Sequence, residues 1–173
     1  MATNEGGNGM EAPFFHGMHP YFRVDDVSET HVKMDHHCSK MLHVQMPVGA
    51  PRDGSLIPNR ETTTWFALNG SDALGGTREK PTYLDHEFKA ADSVDRCPMM
   101  KTEIADGQGT SVLWQDANYR FTQIFTGAME LWGDSAVAFE PMSAKADAFN
   151  NFDRLSILSD GETFSGAFGF FVL

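Results

Sequence analysis

An all-β sandwich or barrel is the fold this sequence predicts, and three observations predict it. Gly and Pro punctuate the chain roughly every ten to twenty residues. The segments between them alternate apolar and polar side chains with a period of two, which places successive residues on opposite faces of a strand. No long stretch carries apolar residues at helical spacing. Asp-Gly pairs at Asp53-Gly54, Asp106-Gly107 and Asp160-Gly161 supply the tight turns that short antiparallel strands require.

Taken in order, HVKMD sets Val32 and Met34 against His31, Lys33 and Asp35. KMLHVQM sets Leu42, Val44 and Met46 against Met41, His43 and Gln45. TTTWFAL repeats the pattern, with Phe66 and Leu68 on one side and Trp65 and Ala67 on the other. Residues 69–82, NGSDALGGTREKPT, read as a polar, Gly-rich connection rather than a strand. In SVLWQDANYRFTQIFTG, the second half puts Tyr119, Phe121, Gln123 and Phe125 on one face. In AVAFEP, Val137 and Phe139 oppose Ala136, Ala138 and Glu140. Pro141 lacks a backbone donor and is expected to close the pairing, leaving Glu140 at the last strand position. Residues 143–153 predict one helical turn or an irregular loop. TFSGAFGFFVL aligns Phe164, Gly166, Phe168, Phe170 and Val172. With no linker, tandem repeat or low-complexity tract, residues 1–173 read as one domain.

Composition narrows the function classes. At 173 residues, with 41% apolar residues and 14 Phe, the chain can build a sizeable core. Its net charge of −11 repels phosphate backbones and anionic headgroups, so neither nucleic acid nor a membrane is an expected partner. The opening MATNEGGNGMEAP has no positive n-region and no apolar h-region. Cys38 and Cys97 then read as free thiols in a reducing compartment, and a cytoplasmic location is expected. GxSxG, GxxxxGK[ST] and GxGxxG are all absent, which removes the common nucleophile-elbow and phosphate-loop signatures.

Four sites could carry chemistry. In PFFHGMHPYF, Gly17 permits a turn and Pro20 fixes the backbone after His19, while Tyr21 and Phe22 offer apolar walls. An imidazole so framed suits general acid work, although the same frame suits a structural His in an aromatic turn. In YLDHEF, Asp85 could accept charge-assisted hydrogen bonds from ligand hydroxyls or simply cap a loop end. Glu140 follows two alanines on its face and has room around it, although this stretch by itself favours a solvated strand end. His36, His37 and Cys38, with His31 or His43, are zinc-type ligands at the wrong spacing, which favours a polar strand edge or turn.

Together, HPYF, LDHEF and EPMSAKADAFN, in that order and followed by a final strand, resemble the aldose 1-epimerases, or galactose mutarotases. ATN near the start, the PVG turn at Pro47 to Gly49, YRFTQIFTG and the LSDGE turn support the resemblance, which runs over essentially the whole chain. It implies a galactose mutarotase-like antiparallel β-sandwich with a sugar site on a concave face. It also implies interconversion of the α and β anomers of free hexoses such as galactose or glucose. Carried over by position, His19 would be the general acid, Glu140 the general base and Asp85 a holder of sugar hydroxyls. Phe125 or Phe121 would pack on the pyranose. No metal or organic cofactor is implied.

The resemblance begins well inside the family's chain. The family's preceding half, with a further His and an Arg at the site, has no counterpart in these residues. Unpaired strand edges, which favour self-association, are expected as a result. A carbohydrate-binding sandwich without turnover is the alternative from another class, and a hexose-6-phosphate epimerase is the alternative within it.

Overall fold

A computed structural model of the chain describes residues 1–7, 9–34, 42–45, 64–65, 69–73, 76–77, 80–81, 85–89, 99–126 and 135–173. Its strands, in chain order, are β1 (Ala2–Thr3), β2 (Ala12–Phe14), β3 (Tyr21–Arg23), β4 (His31–Met34), β5 (Leu42–Gln45) and β6 (Thr64–Trp65). They continue with β7 (Asn69–Ala73), β8 (Gly76–Thr77), β9 (Lys80–Pro81), β10 (Asp85–Lys89), β11 (Met99–Ala105) and β12 (Thr110–Asp116). β13 (Phe121–Phe125), β14 (Ala136–Met142), β15 (Ser156–Leu158), β16 (Thr163–Phe164) and β17 (Phe168–Val172) complete the set. A single helical turn, α1 (Ala148–Asn151), lies between β14 and β15.

Two antiparallel sheets dominate. One has the order β3-β14-β13-β10-β5-β6 and the other β17-β12-β11-β4-β7. The apolar halves of the alternating runs face each other between them. Phe88, Ile124, Val137 and Phe139 from the six-stranded sheet join Val32, Met100, Ile104 and Leu113 from the five-stranded sheet in one buried cluster. Phe22 packs edge-on against Phe139, with ring centroids 5.8 Å apart. Since period-two alternation sends one set of side chains into this core, the other set must stand on the far face of the six-stranded sheet. Asp85, Gln123, Glu140 and Tyr21 belong to that second set.

Two expectations are corrected. β14 does not stop at Glu140 but runs through Pro141 to Met142, with Pro141 opposite Thr122. The Pro141 carbonyl accepts the Met18 N–H at 3.2 Å, so the position of its missing N–H also faces the chain before β3. The ladder to β13 therefore loses nothing, which is how a proline is accommodated in a strand. The polar stretch 69–82 contains strand as well: β7 pairs with β4 at the edge of its sheet, and β8 pairs with β9. An edge strand is held by backbone bonds on one side and needs no apolar face, so its Gly and Asn content gave no strand signal.

Candidate functional site

Register decides which side chains meet on the outer face of the six-stranded sheet. Tyr21, Ala138, Phe125 and Asp85 form one row across β3, β14, β13 and β10. Glu140, Gln123 and Glu87 form the next. Residues directly opposite on antiparallel strands have Cβ atoms about 4.5–5.5 Å apart, so each row is a line of mutual contacts.

His19 stands over these rows from the segment that enters β3. Its ring lies 5.0 Å from that of Tyr21 and 6.0 Å, edge-on, from that of Phe125. Those two aromatics flank Ala138, whose single methyl leaves the imidazole room between them. From there His19 Nε2 reaches Glu140 Oε1 at 3.1 Å. The two partners differ in freedom: the His19 side chain is 51% exposed, whereas that of Glu140 is 13% exposed. The acid candidate is thus a surface group held by ring contacts, and the base candidate is fixed in a strand.

Burial pushes the Glu140 carboxyl up to about 8, and the negative charge of Asp85 adds to the effect. Both causes favour the neutral acid, because a carboxylate loses hydration on burial and is repelled by its like-charged neighbour. A protonated imidazole at 3.1 Å favours the ionised form instead. The 3.1 Å contact thus sets the imidazole against a carboxyl that burial and Asp85 hold toward its neutral form. Tyr21 feels the same field, its hydroxyl being raised by burial and then by Glu140.

Gln123 completes the cluster. It is 8% exposed, and its Nε2 donates to Asp85 Oδ1. Sequence reasoning passed over it as one member of an aromatic-rich face. The available signal was a long amide alternating with Phe121 and Phe125 on a face whose other members are aromatic.

Phe125 and Phe121 share a face yet do not share an environment. Phe125 edges His19, but Phe121 is wholly buried, with the Lys89 ammonium 5.5 Å from its ring centroid. The cover comes from the segment after β14. Asp153 clamps Lys89 Nζ with both oxygens at 2.9 Å, and the Ala146 N–H is donated to Glu87 Oε2 at 2.6 Å. That cover leaves Phe121 no surface to offer a ligand, which corrects its assignment. His16 is engaged elsewhere, with Nδ1 2.8 Å from the Tyr119 hydroxyl. His36, His37 and Cys38 lie outside the described residues, as does Cys97. Among the described residues, no three His, Cys, Asp or Glu side chains are grouped to hold a metal ion.

No family model matches the chain, and no curated protein matches it in sequence. Solved structures do match. A galactose mutarotase-like protein from Clostridium acetobutylicum is similar over 94% of this chain and 48% of its own, with TM-score 0.60 and 17% identity. The fold is that of the galactose mutarotase-like proteins. The Slr1438 protein of Synechocystis sp. PCC 6803 matches with TM-score 0.59 and 16% identity, over 94% of this chain and 45% of that one. A protein of Escherichia coli K12, provisionally assigned as an aldose 1-epimerase, matches with TM-score 0.55 and 15% identity, over 92% and 49%. At these identities the likeness is one of fold. The chain spans about half the length of the mutarotase-like structures it matches. His19, Asp85, Glu140 and Phe125, drawn from four separate segments of this mutarotase-like sandwich, stand on one face of one sheet.

Proposed function

We propose that this face is the site of an aldose 1-epimerase acting on free hexoses, with Glu140 as general base and His19 as general acid. The observation that carries the reading is the direct contact of His19 Nε2 with Glu140 Oε1 at 3.1 Å, beside Asp85 and an aromatic ring. Opening a hemiacetal ring needs one proton taken from the anomeric hydroxyl and one delivered to the ring oxygen. A carboxylate and an imidazolium that share one proton supply both movements, each worth about 10²–10⁴-fold in rate.

The sugar enters between them and replaces their mutual contact. The half-exposed imidazole moves aside, while the strand-held carboxylate keeps its place. The anomeric O–H then donates to Glu140, and His19 donates to the ring oxygen. As the C1–O5 bond breaks, Glu140 gains a proton and His19 loses one, leaving the open-chain aldehyde with no net change in charge. Rotation about C1–C2 and closure with the roles reversed give the other anomer. Asp85, held by Gln123 Nε2, accepts hydrogen bonds from ring hydroxyls, and Phe125 offers an apolar wall to the pyranose. The small ligand and the acidic chain suit a cytoplasmic enzyme working without nucleic acid or membrane partners.

Asp85, held by Gln123 Nε2 beside the Phe125 ring, also suits a second reading, in which the same face binds sugar without turning it over. Polarimetry on freshly dissolved α-D-glucose or α-D-galactose separates the two. An epimerase speeds the approach to rotational equilibrium above the buffer rate, and Glu140→Gln and His19→Ala each lose at least about a hundredfold. A wild-type trace equal to buffer, with sugar heat still seen by calorimetry, selects the binding module. Turnover that survives both substitutions undiminished sinks the acid–base assignment.

A further inference from the structure

Beside the pair lies a carboxyl that the reaction above leaves unused. Glu87 is fully buried, and it stands directly opposite Gln123 in the β10–β13 ladder. Its Oε2 accepts the Ala146 N–H. Its Oε1 is buried without a hydrogen-bond partner among the described residues, and so is the Oε1 of Gln123. Two orphaned acceptors thus share one buried row of the sheet. Leaving either unmatched carries the full desolvation cost of that group, so the pairing demands explanation.

The chemistry of the amide supplies it. On its β10 side Gln123 faces two carboxyls, Glu87 directly opposite and Asp85 diagonally, and on its β14 side it faces Glu140. A carboxamide has its donors on nitrogen and its acceptor on oxygen. With the nitrogen turned to one β10 carboxyl, the oxygen is left toward the other. Here the nitrogen is turned to Asp85, so the oxygen needs a donor on the Glu87 side. A single proton on Glu87 Oε1 satisfies both orphans at once. We propose that Glu87 is a positioning residue that keeps its carboxylic proton and donates it to Gln123 Oε1, locking the amide with its nitrogen toward Asp85.

The surroundings agree. Burial pushes the Glu87 carboxyl up to about 7 and Asp153 pushes the same way; the Ala146 N–H, Lys145 and Lys89 oppose the shift. Lys89 is itself occupied by Asp153 through both carboxylate oxygens. Among the described residues, the charged groups around Glu87 are Lys145 and Asp153 from the covering segment, Asp85 and Lys89 on its own strand, and Glu140 at the far end of its row. The β5 register partner is Val44, an uncharged residue. A neutral Glu87 also spares the site a third negative charge beside Asp85 and Glu140. The resulting line of donors, from Glu87 through Gln123 to Asp85, polarises along its length and holds Asp85 in one orientation. Its functional consequence rests on the epimerase reading, since a fixed Asp85 matters there for holding sugar hydroxyls.

The test separates this wiring from turnover. In the full chain, ¹³C-labelled glutamate places the Glu87 carboxyl resonance, assigned by its loss in Glu87→Gln. It should titrate near neutrality, far above an ordinary glutamate. The Gln123 side-chain amide protons, followed without any sugar, should stay dispersed in wild type and in Glu87→Gln, whose own amide replaces the acid as donor. In Glu87→Met, which has no donor, they should collapse toward free-amide positions. Under the epimerase reading, KM for the hexose then rises several-fold or more in Glu87→Met and stays within about twofold of wild type in Glu87→Gln. A Glu87 carboxyl that titrates at the ordinary glutamate value overturns the proposal, as does a Gln123 amide unmoved by Glu87→Met. If Glu87→Met fails to fold, the wild-type titration and Glu87→Gln still decide. An inactive wild type with the expected resonances would leave the wiring standing and remove the epimerase reading alone.

Discussion

The pH dependence of turnover is the sharpest consequence of the His19–Glu140 contact, and its direction follows from proton counting. Reaction requires a deprotonated base and a protonated acid, so the competent pair carries one proton in total. A pair with two protons has no base, and a pair with none has no acid. The alkaline limb is set by the Glu140 carboxyl, which burial and Asp85 raise to about 8. One pH unit below that value roughly nine-tenths of the pairs keep the proton, and one unit above it roughly one-tenth do. Between pH 7 and pH 9, kcat/KM should therefore fall about tenfold. The assay is polarimetric mutarotation at each pH, with the buffer rate subtracted because hydroxide alone opens the ring. Asp85→Asn is the diagnostic variant. It removes the like charge that is the smaller cause of the Glu140 shift and leaves burial, the larger cause, in place. The alkaline limb should move to lower pH without reaching the ordinary glutamate range. A kcat/KM that holds level or rises through pH 9 would falsify the shared-proton account. A limb unmoved by Asp85→Asn would remove the electrostatic link between the two carboxyls.

Two further outcomes test the scaffold beneath the site. Phe139 is fully buried and immediately precedes Glu140, so Phe139→Ala should cost roughly 3–5 kcal/mol. In thermal unfolding that appears as a Tm lower by about 10 °C, and a change of a degree or less would show that the core is not seated there. At Gly169, a Cβ would stand 2.7 Å from Trp114 Nε1 and 2.9 Å from Cε2. Gly169→Ala should therefore displace the indole, costing about 1–3 kcal/mol and altering the near-ultraviolet circular dichroism. An unchanged tryptophan signature would count against the β12–β17 register.

The sequence made the faces legible and left the neighbours hidden, for a physical reason. Period-two alternation states which side chains share a face of one strand, and it placed Val137 and Phe139 in the core and Glu140 outside it. What lies opposite Glu140 depends on register, which long-range pairing sets. Nothing local to YRFTQIFTG says that Gln123 falls between Glu140 and Glu87. Phe121 and Phe125 illustrate the same limit, since periodicity treats them alike. They are separated by the segment carrying Ala146 and Asp153, which bonds to Glu87 and Lys89 on β10, the strand beside the wholly buried Phe121. Pro141 misled because the rule about proline concerns a missing donor. Whether that loss matters depends on which neighbour the donor would have faced.

The carboxyls themselves differ in where the sheet lets a proton stay. Asp85 and Glu87 from β10 and Glu140 from β14 are brought to one patch across the intervening β13. Like charges gathered in a partly buried patch repel, so full ionisation of the patch is costly. Burial decides where protons stay: the two carboxyls with raised values, at about 7 and about 8, are the fully buried Glu87 and the nearly buried Glu140. Of these, only Glu140 has a mobile partner within reach. The Glu87 proton is enclosed by Ala146 and the covering segment, whereas the Glu140 proton faces a half-exposed imidazole that a ligand can displace. By this proposal one proton is fixed in the scaffold and the other can move, and the difference lies in which end of their shared row the covering segment crosses.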